Sequence, residues 1–173
     1  MAVGDVSDPS STVRQVTSTP EDISRFWNLI ESAWTATGTA PSTALRSADG
    51  DLGSRLDAFL AQLSALSADF SSADLTALDR VAERALYDID RADIQAVTDG
   101  SDDGFLYARG FIVAMGRDYY EAVNADPEAA TTDAECEEMC YFFAHLHHAR
   151  FGAFPETGSG ISRETASNPA GWS

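Results

Sequence analysis

Apolar residues recur along most of this chain every three to four positions, which is the spacing of a helix that buries one face. Six stretches follow the pattern, and we predict helices over residues 20–34, 52–66, 72–86, 91–97, 101–123 and 132–151. No run alternates between apolar and polar residues for long enough to form a strand. The pattern therefore predicts an all-α, bundle-like domain of about six helices.

Helix start signals support these boundaries. Thr19-Pro20-Glu21-Asp22 combines a capping hydroxyl, a proline at the first helical position and acids in the first turn. Ser101-Asp102-Asp103 repeats the hydroxyl cap and the acids at the start of the fifth predicted helix. Thr132 or Asp133 is expected to open the sixth.

The remaining segments show neither the apolar spacing of a helix nor the alternation of a strand. Residues 1–18 are rich in Ser, Thr and Asp and are expected to form a loose arm before a helical domain over residues 19–151. Residues 35–49 read as a linker within that domain. Residues 152–173 are rich in Gly, Ser, Thr and Pro and are expected to be an irregular tail, which Phe154 and Trp172 would be able to dock onto the core.

The net charge of the chain excludes some classes of binding partner. The 173 residues include 28 acidic and 11 basic side chains, a formal net charge of −17, and every basic residue is Arg. Such a surface repels phosphate, so neither nucleic acid nor an anionic membrane is an expected partner. No apolar run reaches membrane-spanning length and no signal peptide is visible, so we expect a cytoplasmic protein.

The two cysteines are expected to be reduced. Cys136 and Cys140 lie four residues apart in the sixth predicted helix, where the Cα separation and parallel side chains disfavour a disulfide. We interpret them as small apolar core residues.

Three blocks carry a resemblance to a known family. Residues 26–34 read FWNLIESAW, residues 86–97 read LYDIDRADIQAV, and residues 101–127 read SDDGFLYARGFIVAMGRDYYEAVNADP. Their order resembles the uncharacterised bacterial family called domain of unknown function 4240, whose members are sometimes labelled relatives of molybdenum metabolism regulators. The resemblance implies an all-helical fold. Ala108 and Phe111 depart from it, because the family has an aromatic residue and Trp there.

Arg109 is the principal candidate site residue. On a continuous fifth helix it falls within the apolar arc of Phe105, Ile112 and Tyr119, and a buried guanidinium needs a partner. One interpretation is a buried ion pair with an aspartate, for which the candidates are Asp88, Asp90, Asp93 and Asp103, with Asp88 or Asp90 favoured. The other is an anion site at which Arg109 binds a carboxylate or phosphate. Gly110 and Gly116 on the same stretch favour close helix packing.

Metal binding is a less favoured alternative at two places. The aspartates between residues 88 and 103 would offer oxygen ligands to Mg²⁺ or Ca²⁺, but their spacing is not that of an EF-hand. Cys136, Cys140 and His147 would share one face of a continuous sixth helix and suit zinc by softness, but no usual zinc spacing is matched. A hydrogen-bonded core histidine is the simpler interpretation.

The polar face of the sixth predicted helix carries further candidates. His148 with Tyr141 or Glu137 would be able to act as an acid–base pair, and an exposed polar face explains the same residues. No dinucleotide-binding, P-loop or His-Glu-x-x-His motif is present, so no cofactor is predicted.

Two functions remain open. The first is a regulatory or protein-binding helical module with a basic partner protein. The second is a small enzyme or ligand-binding protein with an inter-helix pocket centred on Arg109, lined by Tyr107 or Tyr119, His147 and aspartates, which would take a small anionic ligand. A cavity at Arg109 would favour the second function, and a saturated, packed Arg109 would favour the first.

Overall fold

The computed structural model describes residues 14–46, 51–98 and 100–173, and within these ranges it contains helices and no strand. The all-α prediction is confirmed. The helices are α1 (Pro20–Thr37), α2 (Pro41–Arg46), α3 (Leu52–Ser67), α4 (Ser72–Asp88), α5 (Ala92–Thr98), α6 (Asp102–Ala114), α7 (Arg117–Ala125), α8 (Glu137–Cys140) and α9 (Phe142–Phe151), with short 3₁₀ turns at Pro127–Ala129 and Pro169–Gly171.

The predicted caps at the starts of α1 and α6 are present. Thr19 Oγ1 accepts a hydrogen bond from the Asp22 amide at 3.1 Å, and the Asp22 carboxylate accepts from the Thr19 amide in return. Ser101 Oγ accepts from the Gly104 amide at 3.3 Å. These bonds satisfy amides that have no partner inside the helix and so fix where each helix begins.

The core joins helices that are distant in sequence. The indole of Trp34 on α1 stacks on Phe59 of α3, with ring centroids 4.7 Å apart. Its Nε1 donates to the carbonyl of Ala114 at the end of α6, at 2.7 Å. Phe26 on α1 meets Phe143 on α9 at 5.8 Å. Burial of these large rings is the main stabilising term of the fold.

The prediction of one continuous fifth helix over residues 101–123 is wrong. Gly116 has φ +94°, a conformation that glycine adopts without strain, and the chain changes direction there between α6 and α7. Tyr120 is consequently placed on α7, where its hydroxyl donates to the carbonyl of Ala85 at 2.9 Å. Tyr119 also lies on α7, so it does not share a helical face with Arg109 as one continuous helix would predict.

The sixth predicted helix also begins later and is interrupted. Asp133 has φ +57°, and Thr132 Oγ1 donates to the carbonyl of Val97 instead of capping a helix. The first helical residue is Glu137, and non-helical backbone at Tyr141 (φ −131°) separates α8 from α9. The breaks at Gly116 and Tyr141 and the additional helix α2 make the helices more numerous and shorter than the six expected.

The structure describes only part of the expected linker (residues 35–49) and of the expected N-terminal arm (residues 1–18). Residues 35–46 of the expected linker contain the end of α1 and all of α2, so the linker interpretation is wrong there, and residues 47–50 lie outside the described residues. Of the expected arm, residues 1–13 also lie outside them. The Val16 amide, in the remainder, donates to the carbonyl of Gly158 at 2.9 Å.

The segment 152–173 runs back over α4, α5 and α6. The ring of Trp172 packs edge-on against Phe105 at 6.1 Å, whereas Phe154 is 57% exposed. Thr157, Ser159 and Arg163 are buried against the helices. This segment therefore contributes polar side chains to the interior.

Candidate functional site

Arg109 is fully buried on α6, as its place in the apolar arc predicts. Nη1 donates to the carbonyl of Leu86 at 2.9 Å, and Nη2 donates to the carbonyl of Arg163 at 2.8 Å. The guanidinium lies 4.9 Å from the centre of the Phe105 ring, and burial lowers the pKa of Arg109. Both terminal nitrogens thus bind backbone carbonyls of the protein itself.

The predicted ion pair between Arg109 and an aspartate is wrong. Asp88 pairs with Arg84 at 2.8 Å, one turn earlier on α4, and Asp93 pairs with Arg91 at 2.6 Å. No carboxylate of the described residues lies within ion-pair distance of Arg109. Carbonyl dipoles from α4 and the C-terminal segment supply the compensation that we assigned to an aspartate.

Asp90 is fully buried and holds the C-terminal segment. Its Oδ2 accepts from the amides of Ser167 and Asn168 at 2.7 and 3.0 Å. Its Oδ1 accepts from the amide of Ala166 at 3.1 Å and from Trp172 Nε1 at 3.0 Å. Four N–H donors thus surround one carboxylate, which is an effective way to compensate a buried negative charge. Asp90 therefore anchors the chain terminus.

His147 is a buried, hydrogen-bonded histidine. Nδ1 lies 2.6 Å from the carbonyl of Ala153, and Nε2 lies 2.7 Å from Ser72 Oγ at the start of α4. A carbonyl only accepts, so Nδ1 carries a proton and donates to Ala153, and Nε2 shares a hydrogen bond with the serine hydroxyl. Nε2 thus joins α9 to the start of α4, and Nδ1 fixes the chain just after α9.

The cysteines are free, buried thiols, as predicted, but they do not form a shared helical face with His147. Cys136 precedes α8, with φ −147°, and Cys140 Sγ donates to the carbonyl of Leu106 at 3.3 Å. Burial raises the pKa of each thiol to about 12, so both are protonated at neutral pH. No group of three or more metal-binding side chains occurs within the described residues.

The other candidate acid–base residues lie at the surface without a mutual hydrogen bond. His148 is exposed and stacks on Phe154, with ring centroids 4.5 Å apart. The Tyr141 hydroxyl donates to Glu164 at 3.4 Å, and burial raises the pKa of Tyr141. Glu137 lies near Tyr107, whose pKa it raises. The geometry therefore assembles no acid–base pair from His148, Tyr141 and Glu137.

Gly110 allows the close approach that we predicted, but the same prediction is wrong at Gly116, where an added Cβ would meet nothing within 4 Å. A Cβ added there would lie 2.4 Å from the carbonyl oxygen of Cys136 and 2.6 Å from Cys140 Sγ. The same crossing is held by a hydrogen bond from the Cys136 amide to the carbonyl of Tyr107, at 3.0 Å. Gly110 thus lets α8 and the segment before it pack directly on α6.

A buried charged cluster escaped the sequence analysis. Arg163 Nη2 lies 2.6 Å from Asp79 Oδ2 and 3.3 Å from Glu83 Oε1, and all three side chains are largely buried. Burial raises the pKa of Asp79 in spite of the neighbouring arginine. Burial alone would lower the pKa of Arg163, but the two carboxylates outweigh it and raise this pKa.

One signal for this cluster is visible in the sequence. Asp79 lies four residues after Leu75 and three before Ala82, within the apolar stripe of α4, where an acid has to find a buried partner. Arg163 carries no comparable signal, because it lies in a segment without helical or strand periodicity. The sequence pattern therefore does not predict that Arg163 pairs with Asp79.

The packing of α8 on α6 also brings together exposed carboxylates, which we call the acidic patch: Asp103, Glu135 and Glu137 lie around Tyr107 and Gly104, and Asp102 and Glu138 are their neighbours in the chain. Glu137 and Asp103 both raise the pKa of Tyr107, which lies among them. Glu135 Oε1 approaches Gly104 in the first turn of α6. None of the five takes part in an ion pair within residues 14–46, 51–98 and 100–173.

Comparison with known proteins places the chain in a family. The model of a protein family described as "Protein of unknown function (DUF4240)" matches residues 22–149, well over half of the 173 residues. Comparisons with curated proteins and with solved structures gave no significant match. In the described part of the chain, every helix is too short or too polar to cross a membrane. The matched residues include α6, α8 and nearly all of the helical core, and the chain belongs to this DUF4240 family.

Proposed function

We propose that this protein is a non-catalytic helical module of the cytoplasm that binds a basic partner protein through the acidic patch. The observation that carries the proposal is the patch itself: five exposed carboxylates from two packed segments, with no arginine paired to them in the described residues. Unpaired carboxylates at such density repel one another, and a basic surface relieves that repulsion on binding.

The state of the candidate catalytic residues supports a binding role. The terminal nitrogens of Arg109, both carboxylate oxygens of Asp90 and both ring nitrogens of His147 form hydrogen bonds inside the protein, although Arg109 Nε has no partner. The alternative function, a pocket in which Arg109 grips a small anionic ligand, has less support because Arg109 has no exposed surface.

The test uses a fluorescein-labelled peptide of alternating Lys and Ala as a basic probe, followed by fluorescence anisotropy. The patch variant is Glu135→Gln/Glu137→Gln/Glu138→Gln. The matched control is Glu31→Gln/Asp69→Asn/Glu128→Gln, which removes three exposed carboxylates outside the patch. Both variants change the net charge from −17 to −14, since each loses three negative charges.

We expect the patch variant to bind at least about fivefold more weakly than the parent, and the control to stay within about twofold, because exposed charge pairs contribute a few tenths of a kcal/mol to about 1 kcal/mol each. Raising the salt concentration should weaken binding to the parent. Equal losses in the two variants would mean that only net charge attracts the probe, and the patch would be rejected as a binding site.

A further inference from the structure

A cavity of about 380 Å³ lies between α4, α9 and the segment that follows α9. It is lined by Asp79 and Glu83 from α4, by Tyr141 and His145 at the start of α9, and by Phe154 and Arg163 from the C-terminal segment. Its volume is within the range of small-molecule sites in proteins. The cavity shares no residue with the acidic patch.

Asp79 is not fully satisfied in this cavity. The residue is 2% exposed, and its Oδ1 accepts no hydrogen bond of ordinary geometry, although the Ala144 amide lies close enough to the carboxyl to lower its pKa and Oδ2 binds Arg163. Among the described residues, this is the one buried carboxylate oxygen left without a partner. Such an oxygen loses its hydration without a full hydrogen bond in return, so a donor that reached it would be bound favourably.

The net charge of Asp79, Glu83 and Arg163 indicates that a ligand carrying this donor should be positively charged. Asp79 and Glu83 carry two negative charges, and Arg163 carries one positive charge, which leaves one net negative charge. Arg163 is already engaged, because it also donates to the carbonyl of Cys140 at 2.5 Å. An anionic ligand would meet both carboxylates, whereas a monovalent cation would neutralise the cluster.

The remaining walls suit an organic cation. The rings of Tyr141, His145 and Phe154 line the cavity, and a cation over an aromatic face is attracted by the ring's electron density. Arg163 already uses this interaction, with its guanidinium 4.9 Å from the centre of the Tyr141 ring. A hydrated inorganic ion would gain little from these rings, while an alkyl chain would cover them.

We propose that this cavity binds a small organic cation, an alkylammonium group whose N–H donates to Asp79 Oδ1 while its alkyl chain packs on Phe154 and Tyr141. The ligand thus supplies both the missing donor and the missing positive charge. The site is independent of the proposed function, because the ammonium compound needs no partner protein and does not contact the acidic patch.

The test titrates n-butylammonium chloride into ¹⁵N-labelled protein and follows the amide resonances of Ala144, His145 and Phe154. Neutral n-butanol and anionic butyrate are the matched probes, because they keep the alkyl chain and change only the charged group. We expect saturable shifts at these amides with butylammonium at millimolar concentration and none with the two other probes.

Two variants test the assigned contacts. Asp79→Asn should weaken butylammonium binding at least about tenfold, and Asp69→Asn, an exposed acid outside the cavity, should leave it within about twofold. Phe154→Ala should weaken binding by about threefold or more, and Phe151→Ala, an exposed aromatic residue that does not line the cavity, should not. Phe154 is exposed, so this variant keeps its fold even if Asp79→Asn does not.

Equal shifts with butanol, or unchanged affinity in Phe154→Ala, would overturn the proposal. Absence of saturable binding by the parent protein would do the same. The patch variant that tests the proposed function should bind butylammonium as the parent does, so failure of one proposal is distinguishable from failure of the other.

Discussion

Replacing Asp90 should detach the C-terminal segment and cost a large part of the stability. Asp90 is fully buried and accepts four hydrogen bonds, from the amides of residues 166, 167 and 168 and from Trp172 Nε1. In Asp90→Ala these donors lose their acceptor. Hydrogen bonds to a charged group contribute about 1.5–3 kcal/mol each but are not additive, so we expect a loss of about 4 kcal/mol in the free energy of unfolding.

Asp90→Asn is informative because each carboxylate oxygen accepts two hydrogen bonds. Either orientation of the amide would place its NH₂ group against two N–H donors. We therefore expect Asp90→Asn to cost about 3 kcal/mol, nearly as much as alanine. Asp93→Asn is the matched control, since it removes the same charge from an exposed side chain in the same turn, and it should cost under about 1 kcal/mol.

The measurement is urea unfolding followed by circular dichroism, together with amide hydrogen exchange of residues 163–172. Exchange there should accelerate in both Asp90 variants and not in Asp93→Asn, because only the anchor of this segment has been lost. If the Asp90 variants unfolded at the parent's urea concentration, or kept slow exchange in residues 163–172, the anchoring role would be refuted.

Three further changes test other contacts. Gly110→Ala should lower the free energy of unfolding by about 2 kcal/mol or more, because its Cβ would collide with the Cys136 carbonyl oxygen and Cys140 Sγ. Urea unfolding measures this loss, and an unchanged midpoint would contradict the close packing of α8 on α6. Hydrogen bonds from Arg25 and Ser71 lower the pKa of Asp74 from 3.8 to about 2, so the ionised carboxylate stabilises the fold above pH 3.8 and this contribution is lost as the pH falls towards 2. Asp74→Asn should therefore lose less stability than the parent between pH 3.8 and 2 in an acid titration. Identical pH profiles for the two proteins would reject the assignment. Ser101→Ala should cost about 1 kcal/mol by removal of the cap of α6, and a thermal melt equal to the parent's would show that the cap contributes nothing.

Where a feature depends on neighbouring residues, it was predictable from the sequence. The stripe of α4 and the caps at Thr19 and Ser101 are local patterns, and each is present in the structure. The burial of Arg109 followed from its place in an apolar arc within one helix. The helix breaks at Gly116 and Tyr141 were missed because apolar spacing continues across them, while each break is a non-helical backbone conformation at a single residue.

The sequence by itself determined the helical class, the main helix starts and the burial of Arg109 and His147. Only the tertiary structure decided their partners. Arg109 finds carbonyls of Leu86 and Arg163, and Asp90 finds donors 76 to 82 residues later in the chain. Asp79 likewise meets Arg163 from a segment without periodicity. The physical reason is that burial fixes the need for a partner, whereas its identity depends on which distant segment the packing brings within about 3 Å.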